Sequence, residues 1–375
     1  MPMQPGKHNL PRRFRLPIFM LCIGMVALLL GIGIRNVYHQ TPGVPPQPTP
    51  LSTSTDTTAI PATTASPSIS TSVPITTGSV SPLLFGTNLS LYDNNDQVLQ
   101  SASTRSQLEL MHFRIIRMPV RPTLSNQTEM QAAQYIRNMG AYALIVLRGA
   151  VDKTVLADDT RIIQGMNRVF GRFVVFYEFG NEEDLLGVNV DNYTASWNAI
   201  VPQLKHIALN GQFIGPVNYQ YDQNYLTTFL QHANPRPDEI SWHEYTCDDA
   251  APNDSCISRI DQWTNHITNA RSTMMTTIGT RLPIMITEWN YAPNAQSNDG
   301  KINDSNFMST WTTKALQTLA ANRIFASMQY TCTNSVYALV LNDGTPTIQG
   351  LTIRNLYQSM ILSKQQPTPI ATAAK

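Results

Sequence analysis

Two glutamates stand where an apolar run stops and a polar one begins. Glu182 follows Tyr177-Glu178-Phe179-Gly180-Asn181, and Glu288 follows Ile284-Met285-Ile286-Thr287. An apolar strand that ends in a carboxylate projects that group into a pocket. Two carboxyls facing each other are the machinery of glycosidic-bond hydrolysis; each alone reads equally well as a solvated loop acid. His243 and Tyr245 lie in Ser241-Trp242-His243-Glu244-Tyr245. At a period of two they share a face with Ser241, while Trp242 and Glu244 share the other. Arg117 lies in Ile115-Ile116-Arg117-Met118-Pro119. A buried arginine needs a partner, and Glu178 or Glu288 could supply it. Trp289, Tyr291, Tyr219 and Tyr330 offer apolar faces that suit either a sugar ring or the core.

These groups need a scaffold that brings distant segments together. Short β-rich runs at 83–89, 113–119, 143–147, 173–179, 213–217, 240–245, 283–288 and 324–330 alternate with helical stretches. The helical stretches fall at 101–112, 129–139, 160–170, 193–209, 224–232, 257–278, 306–321 and 351–362. Eight such repeats predict an α/β fold, the (β/α)8 TIM barrel. Active sites of that barrel lie at the C-terminal ends of the strands. Glu182 then follows strand four and Glu288 ends strand seven. A doubly wound open sheet is the rival, weakened by the absence of GxGxxG or GxxxxGK[ST] after any strand.

The segments YEFGNEED and ITEWNY resemble the two catalytic signatures of glycoside hydrolase clan A. The His-x-Tyr of strand six is most similar to family 39-like members. The resemblance implies Glu182 as acid/base, Asn181 as its companion on the sugar 2-hydroxyl, and Glu288 as nucleophile. It also implies Tyr245 bonded to the nucleophile, His243 lining the sugar site and Arg117 beside Glu288. Trp289 and Tyr330 are expected at the sugar, Tyr330 standing where many clan members have a tryptophan. The implied activity is retaining hydrolysis of O-glycosidic bonds in an extracellular carbohydrate, through a glycosyl-enzyme and with no cofactor. Alternatives are an inactive barrel that binds carbohydrate at the cell surface, and a transglycosylase using the same residues. No metal site is expected: the histidines are scattered, and no HxxxH or DxD loop is present.

The net charge of +1 argues against a nucleic-acid partner. Residues 16–34 are uncharged and apolar, preceded by Lys7, Arg12, Arg13 and Arg15 and followed closely only by Arg35. Length and charge bias predict a signal anchor at 16–35, with 1–15 in the cytoplasm and the remainder outside the cell membrane. A cleaved signal peptide is the alternative, and it also exports the protein. Pro, Ser and Thr dominate 36–81, which reads as a disordered linker. The barrel should occupy 82–364, with a disordered tail at 365–375. Four cysteines, none in a CxxC pair, argue against a structural zinc site. Cys22 falls in the apolar run. Cys247 and Cys256 flank a short polar loop and are expected to form a disulfide; two free thiols, or a bond from either to Cys332, remain open.

Overall fold

Runs rich in Ile, Val, Phe and Tyr favour strands because such side chains fit a pleated, buried surface. In the computed structural model these runs form one closed parallel barrel, β1 to β8 in sequence order. The structure describes residues 80–363, apart from 151–153, 248–249 and 296–298. The strands are β1 (Gly86–Asn88), β2 (Ile115–Pro119), β3 (Tyr142–Leu147), β4 (Val175–Phe179), β5 (Gly211–Asn218), β6 (Glu239–Tyr245), β7 (Ile284–Asn290) and β8 (Ala326–Gln329). β8 closes the ring by pairing parallel with β1.

Helices follow every strand: α1 (Gln97–Gln100) and α2 (Ala102–Leu110), α3 (Asn126–Asn138), α4 (Val155–Phe170), α5 (Val190–Ile207) and α6 (Gln223–His232). After β6 come α7 (Asn253–Ser258) and α8 (Asp261–Ile278), then α9 (Ser305–Ala321) after β7 and α10 (Ile348–Tyr357) after β8. Side chains of Ser101, Ser125, Asn189, Asp222, Asp304 and Thr347 accept backbone N–H groups at helix starts. Each such cap is worth about 1 kcal/mol. The structure differs from the sequence reading in detail. Pro82–Leu84 form a 3-10 turn before β1, the stretch expected as one helix at 257–278 is α7 plus α8, and α1 was not foreseen.

The barrel interior changes character along its axis. At the N-terminal end Leu83, Ile115, Leu144, Phe176, Ile214, Met285, Ala326 and Met328 pack into an apolar plug. A second, larger apolar layer lies between strands and helices, with Tyr177, Phe179, Trp197, Phe213, Trp263 and Trp311 buried in it. Two residues above the plug, the inward positions turn polar: Ile115 gives way to Arg117 on β2, and Phe176 to Glu178 on β4. The plug closes the floor, so those polar groups face the open C-terminal end.

Among the described residues, no helix is long and apolar enough to cross a membrane. The span expected at 16–35, the 1–15 segment, nearly all of the 36–81 linker and the 365–375 tail lie outside the described residues.

Candidate active site

Arg117 is the hub of the open end. Its Nε donates to Glu178 Oε2 at 2.6 Å, Nη1 to Glu288 Oε1 at 2.5 Å and to Asn88 Oδ1 at 3.0 Å, and Nη2 to Asn181 Oδ1 at 2.6 Å. One planar guanidinium thus ties β1, β2, β4 and β7 together. Ser241 Oγ on β6 donates to the remaining Glu178 oxygen, Oε1, at 2.8 Å. Burial works against the guanidinium charge, but Glu178 and Glu288 raise the Arg117 pKa above its ordinary value.

Period-two alternation alone would not bring Glu288 inward. Met285 belongs to the inner plug and Ile286 to the outer layer. Strict alternation would next send Thr287 in and Glu288 out. The β6–β7 register instead pairs Trp242 with Ile286 and His243 with Glu288, leaving Thr287 as an extra residue. β7 against β8 shows the same shift between Ile286 and Trp289. This bulge re-aims Glu288 into the cleft. A second bulge in β5, between Pro216 and Asn218, presents the Val217 carbonyl to the Glu182 N–H at 2.9 Å. Both residues hold positive φ, 60° at Val217 and 51° at Glu182. Such backbone costs on the order of 1–3 kcal/mol per residue and persists where surrounding contacts over-determine it.

The two carboxyls meet over His243. Its Nδ1 lies 2.6 Å from Glu182 Oε1 and 3.6 Å from Glu288 Oε2. One carboxylate oxygen from each glutamate and one His243 nitrogen lie within 4.8 Å of one another. Tyr245 Oη donates to Glu288 Oε2 at 2.7 Å. Burial opposes charge on His243, but ionised Glu288, then the bond to Glu182 and its charge, raise the imidazole pKa above its ordinary value. Burial likewise opposes ionisation of Glu288. His243, Arg117 and the Tyr245 hydroxyl outweigh it and hold the carboxyl below the usual range. The Tyr245 hydroxyl goes the other way, raised first by burial and then by the Glu288 charge. Among the described residues, Glu182, His243 and Glu288 are the group spaced to hold a metal ion. Arg117 already neutralises Glu288 there, and the cationic tendency of His243 works against a second cation.

Glu183 braces the Glu182 loop from below. It is 3% exposed, and its Oε2 accepts the Ala150 N–H at 2.8 Å. Burial pushes its carboxyl pKa to about 7, against that hydrogen bond. The approach needs Gly149, where an added Cβ would lie 1.2 Å from Glu183 Oε1.

No protein-family model and no curated protein matches the sequence. Solved structures do match in fold. A protein of Neocallimastix frontalis is 20% identical at a TM-score of 0.50; the match covers 67% of this chain and 60% of that one. A family 51 α-L-arabinofuranosidase from Bifidobacterium longum is 11% identical at a TM-score of 0.57, over 74% of this chain and 73% of the other. A family 5 xyloglucan-specific endo-β-1,4-glucanase from a metagenomic library, in complex with cellotriose, is 15% identical at a TM-score of 0.52. It is matched over 73% of this chain and 96% of its own. Both of those families belong to clan A. At these identities the likeness is one of fold, the (β/α)8 barrel.

Of the residues singled out in the sequence, Arg117, Asn181, Glu182, His243, Tyr245 and Glu288 are linked by the contacts above. Tyr330 stands beside them at the end of β8, and Tyr219 stacks on Tyr245 with centroids 6.0 Å apart. Trp289 does not join them. It is 1% exposed and packs against Trp311 of α9 at 6.0 Å, because the position after the bulge faces outward. Tyr291, 0% exposed, packs beside Phe307 and Trp311 in the same layer. Asn88 and Glu183 went unread in the sequence; the only hint of Asn88 was its position at a strand end. Cys247 and Cys256 form a disulfide, and Cys332 is a buried free thiol.

Proposed function

We propose that this chain is a retaining glycoside hydrolase that cleaves O-glycosidic bonds by double displacement. The observation that carries this reading is the closeness of the Glu182 and Glu288 oxygens, within 4.8 Å. It supports the short spacing of retaining enzymes, roughly 5–5.5 Å between carboxyl groups, over the roughly 6.5–9.5 Å of inverting ones. Against burial, His243, Arg117 and Tyr245 favour the ionised form of Glu288, which equips it to attack the anomeric carbon. Glu182 delivers to the leaving oxygen a proton held within its hydrogen-bonded pair with His243, then takes one from the incoming water. Asn181, oriented by Arg117, is placed to meet the sugar 2-hydroxyl. Within the clan, His243-x-Tyr245 makes family 39 and its relatives the nearer resemblance.

Proton NMR of the first product from an aryl glycoside tests the mechanism. Retained anomeric configuration is expected, and inversion would exclude it. Glu288→Gln should cut turnover about 10,000-fold or more, as removal of other catalytic nucleophiles does. Glu182→Gln should cost about 100- to 10,000-fold. Longer oligosaccharides in a product chromatogram, in place of new reducing ends, would mark a transglycosylase. Binding without turnover would mark a carbohydrate-binding barrel.

The apolar run at 16–35 supports a single-pass anchor with the barrel outside the cell. The Cys247–Cys256 bond suits that side, since disulfides persist in oxidising compartments. Protease treatment of intact cells should digest the barrel and spare an N-terminal epitope; protection of the barrel would exclude this topology.

A further inference from the structure

Arg121 lies just beyond β2, two strands round the ring from β4, whose following loop carries Glu182. Of its five N–H donors, Nη2 gives one long bond to the Ser90 carbonyl at 3.3 Å, and Nε is buried with no hydrogen-bond partner. Its guanidinium rests 4.9 Å from the Tyr92 ring centroid. Among the described residues no carboxylate pairs with it. Arg117, by contrast, is already satisfied by Glu178 and Glu288. Among the described residues, Arg121 is therefore a cation near the cleft whose charge is left for something else.

Its neighbours lead into the site. Tyr92 Oη lies 2.9 Å from Tyr330 Oη, and Tyr92 is 42% exposed. Burial first, then ionised Glu288 and the bond to Tyr92, raise the Tyr330 hydroxyl pKa, while the Arg121 charge opposes the rise. Glu288 and Arg121 thus act on one hydroxyl in opposite senses.

Topology decides which part of a substrate meets this cluster. In a closed ring of eight, β8 is four strands from β4. Glu182 protonates the leaving oxygen, so the leaving group lies on the β4 side. The sugar transferred to Glu288 must extend the other way, toward the loops after β8, β1 and β2 that carry Tyr330, Tyr92 and Arg121. Glu178 and Glu288 share the single charge of Arg117, so an anion there meets uncompensated negative charge unless a further cation is at hand.

The geometry points to Arg121, with Tyr92 and Tyr330, as a subsite for an anionic substituent, carboxylate or sulfate, on the transferred sugar. This rests on the glycosidase reading above. A guanidinium fork matches either group with paired N–H bonds.

The test uses the full chain in detergent with matched 4-nitrophenyl glycosides of both anomers. The pairs are glucoside with glucuronide, galactoside with galacturonide, and glucoside with glucoside 6-sulfate. The anionic member of at least one pair should show a kcat/KM at least ten-fold higher. Arg121→Gln should collapse that ratio toward one, while Arg121→Lys keeps part of it. The uronide and sulfate arms separate the two substituents. A preference for neutral sugars, or a ratio that Arg121→Gln leaves unchanged, overturns the subsite while the hydrolase stands. If no glycoside is cleaved, saturation-transfer NMR with glucuronate, galacturonate, glucose 6-sulfate and glucose decides. Binding of an anionic sugar that Arg121→Gln abolishes keeps the subsite and discards the hydrolase; no such binding discards the subsite.

Discussion

Arg117 and Glu178 form an ion pair inside the barrel, Nε to Oε2 at 2.6 Å, with side chains only 3% and 0% exposed. Neither charge reaches water, so each depends on the other. Glu178 also fixes the guanidinium plane, which aims Nη1 at Glu288 and Nη2 at Asn181. Its role is positioning, with Ser241 holding its far oxygen.

Glu178→Gln keeps the shape and removes the charge. Breaking a buried pair from one side typically costs about 3–5 kcal/mol. For a barrel of this size that lowers Tm by on the order of 10 °C. Activity at temperatures where the variant is folded should also fall, because Arg117 is no longer aligned. Calorimetry and kcat at one low temperature check both; an unchanged Tm would mean that the pair is not buried as described.

Tyr245→Phe should move the acid limb of the kcat/KM profile upward in pH. The Tyr245 hydroxyl is one of the groups that hold the Glu288 pKa below the usual range, behind His243 and Arg117. A depressed carboxyl pKa contributes stability that is present above the unfolded value and lost as pH falls through the folded one. Glu288 therefore stabilises the fold at neutral pH, and that contribution disappears on the acid side. The raised His243 pKa acts in reverse, its contribution present at low pH and lost as pH rises through the folded value. A pH–rate profile of the variant that overlays the wild type would remove Tyr245 from the environment of Glu288.

Glu239 should weaken the barrel as pH rises. It begins β6 on the inward face, 6% exposed, and its Oε2 has no hydrogen-bond partner. Burial, with help from Asp238 and against Lys205, pushes its pKa to about 8. A carboxyl pKa raised on folding favours the fold fully below the ordinary carboxyl range. That contribution is lost progressively as pH climbs toward 8. Glu239→Gln should thus gain on the wild type between pH 5 and pH 9, by at most about 5 kcal/mol. Urea unfolding at the two pH values measures it, and an equal difference at both would reject the buried acid.

Cys247→Ser or Cys256→Ser should destabilise the chain by about 2–3 kcal/mol on the loop-closure argument for a separation of nine residues. The Cys247 N–H also donates to the Tyr291 carbonyl at 2.7 Å, and this hydrogen bond ties the β6 rim to the segment after β7. Reduction with dithiothreitol should reproduce the loss in the wild type and leave the variants unaffected.

The order of elements was legible in the sequence because it is local. Alternating apolar runs and helical stretches set the eight repeats, and polar residues at strand ends marked Glu182, Glu288, His243 and Tyr245. The disulfide was legible because its two cysteines are neighbours in the chain. Tertiary structure decided what depends on register and on contacts far apart in sequence. The bulge at Thr287 turns Glu288 inward and Trp289 outward, and no local pattern encodes a bulge that both neighbouring strands impose. Glu182 sits beyond the end of β4, at positive φ, held by a carbonyl of β5, so strand alternation could not place it. Arg117 had two candidate acids in sequence and takes both, because a closed barrel brings β4 and β7 to the same guanidinium across 61 and 171 residues.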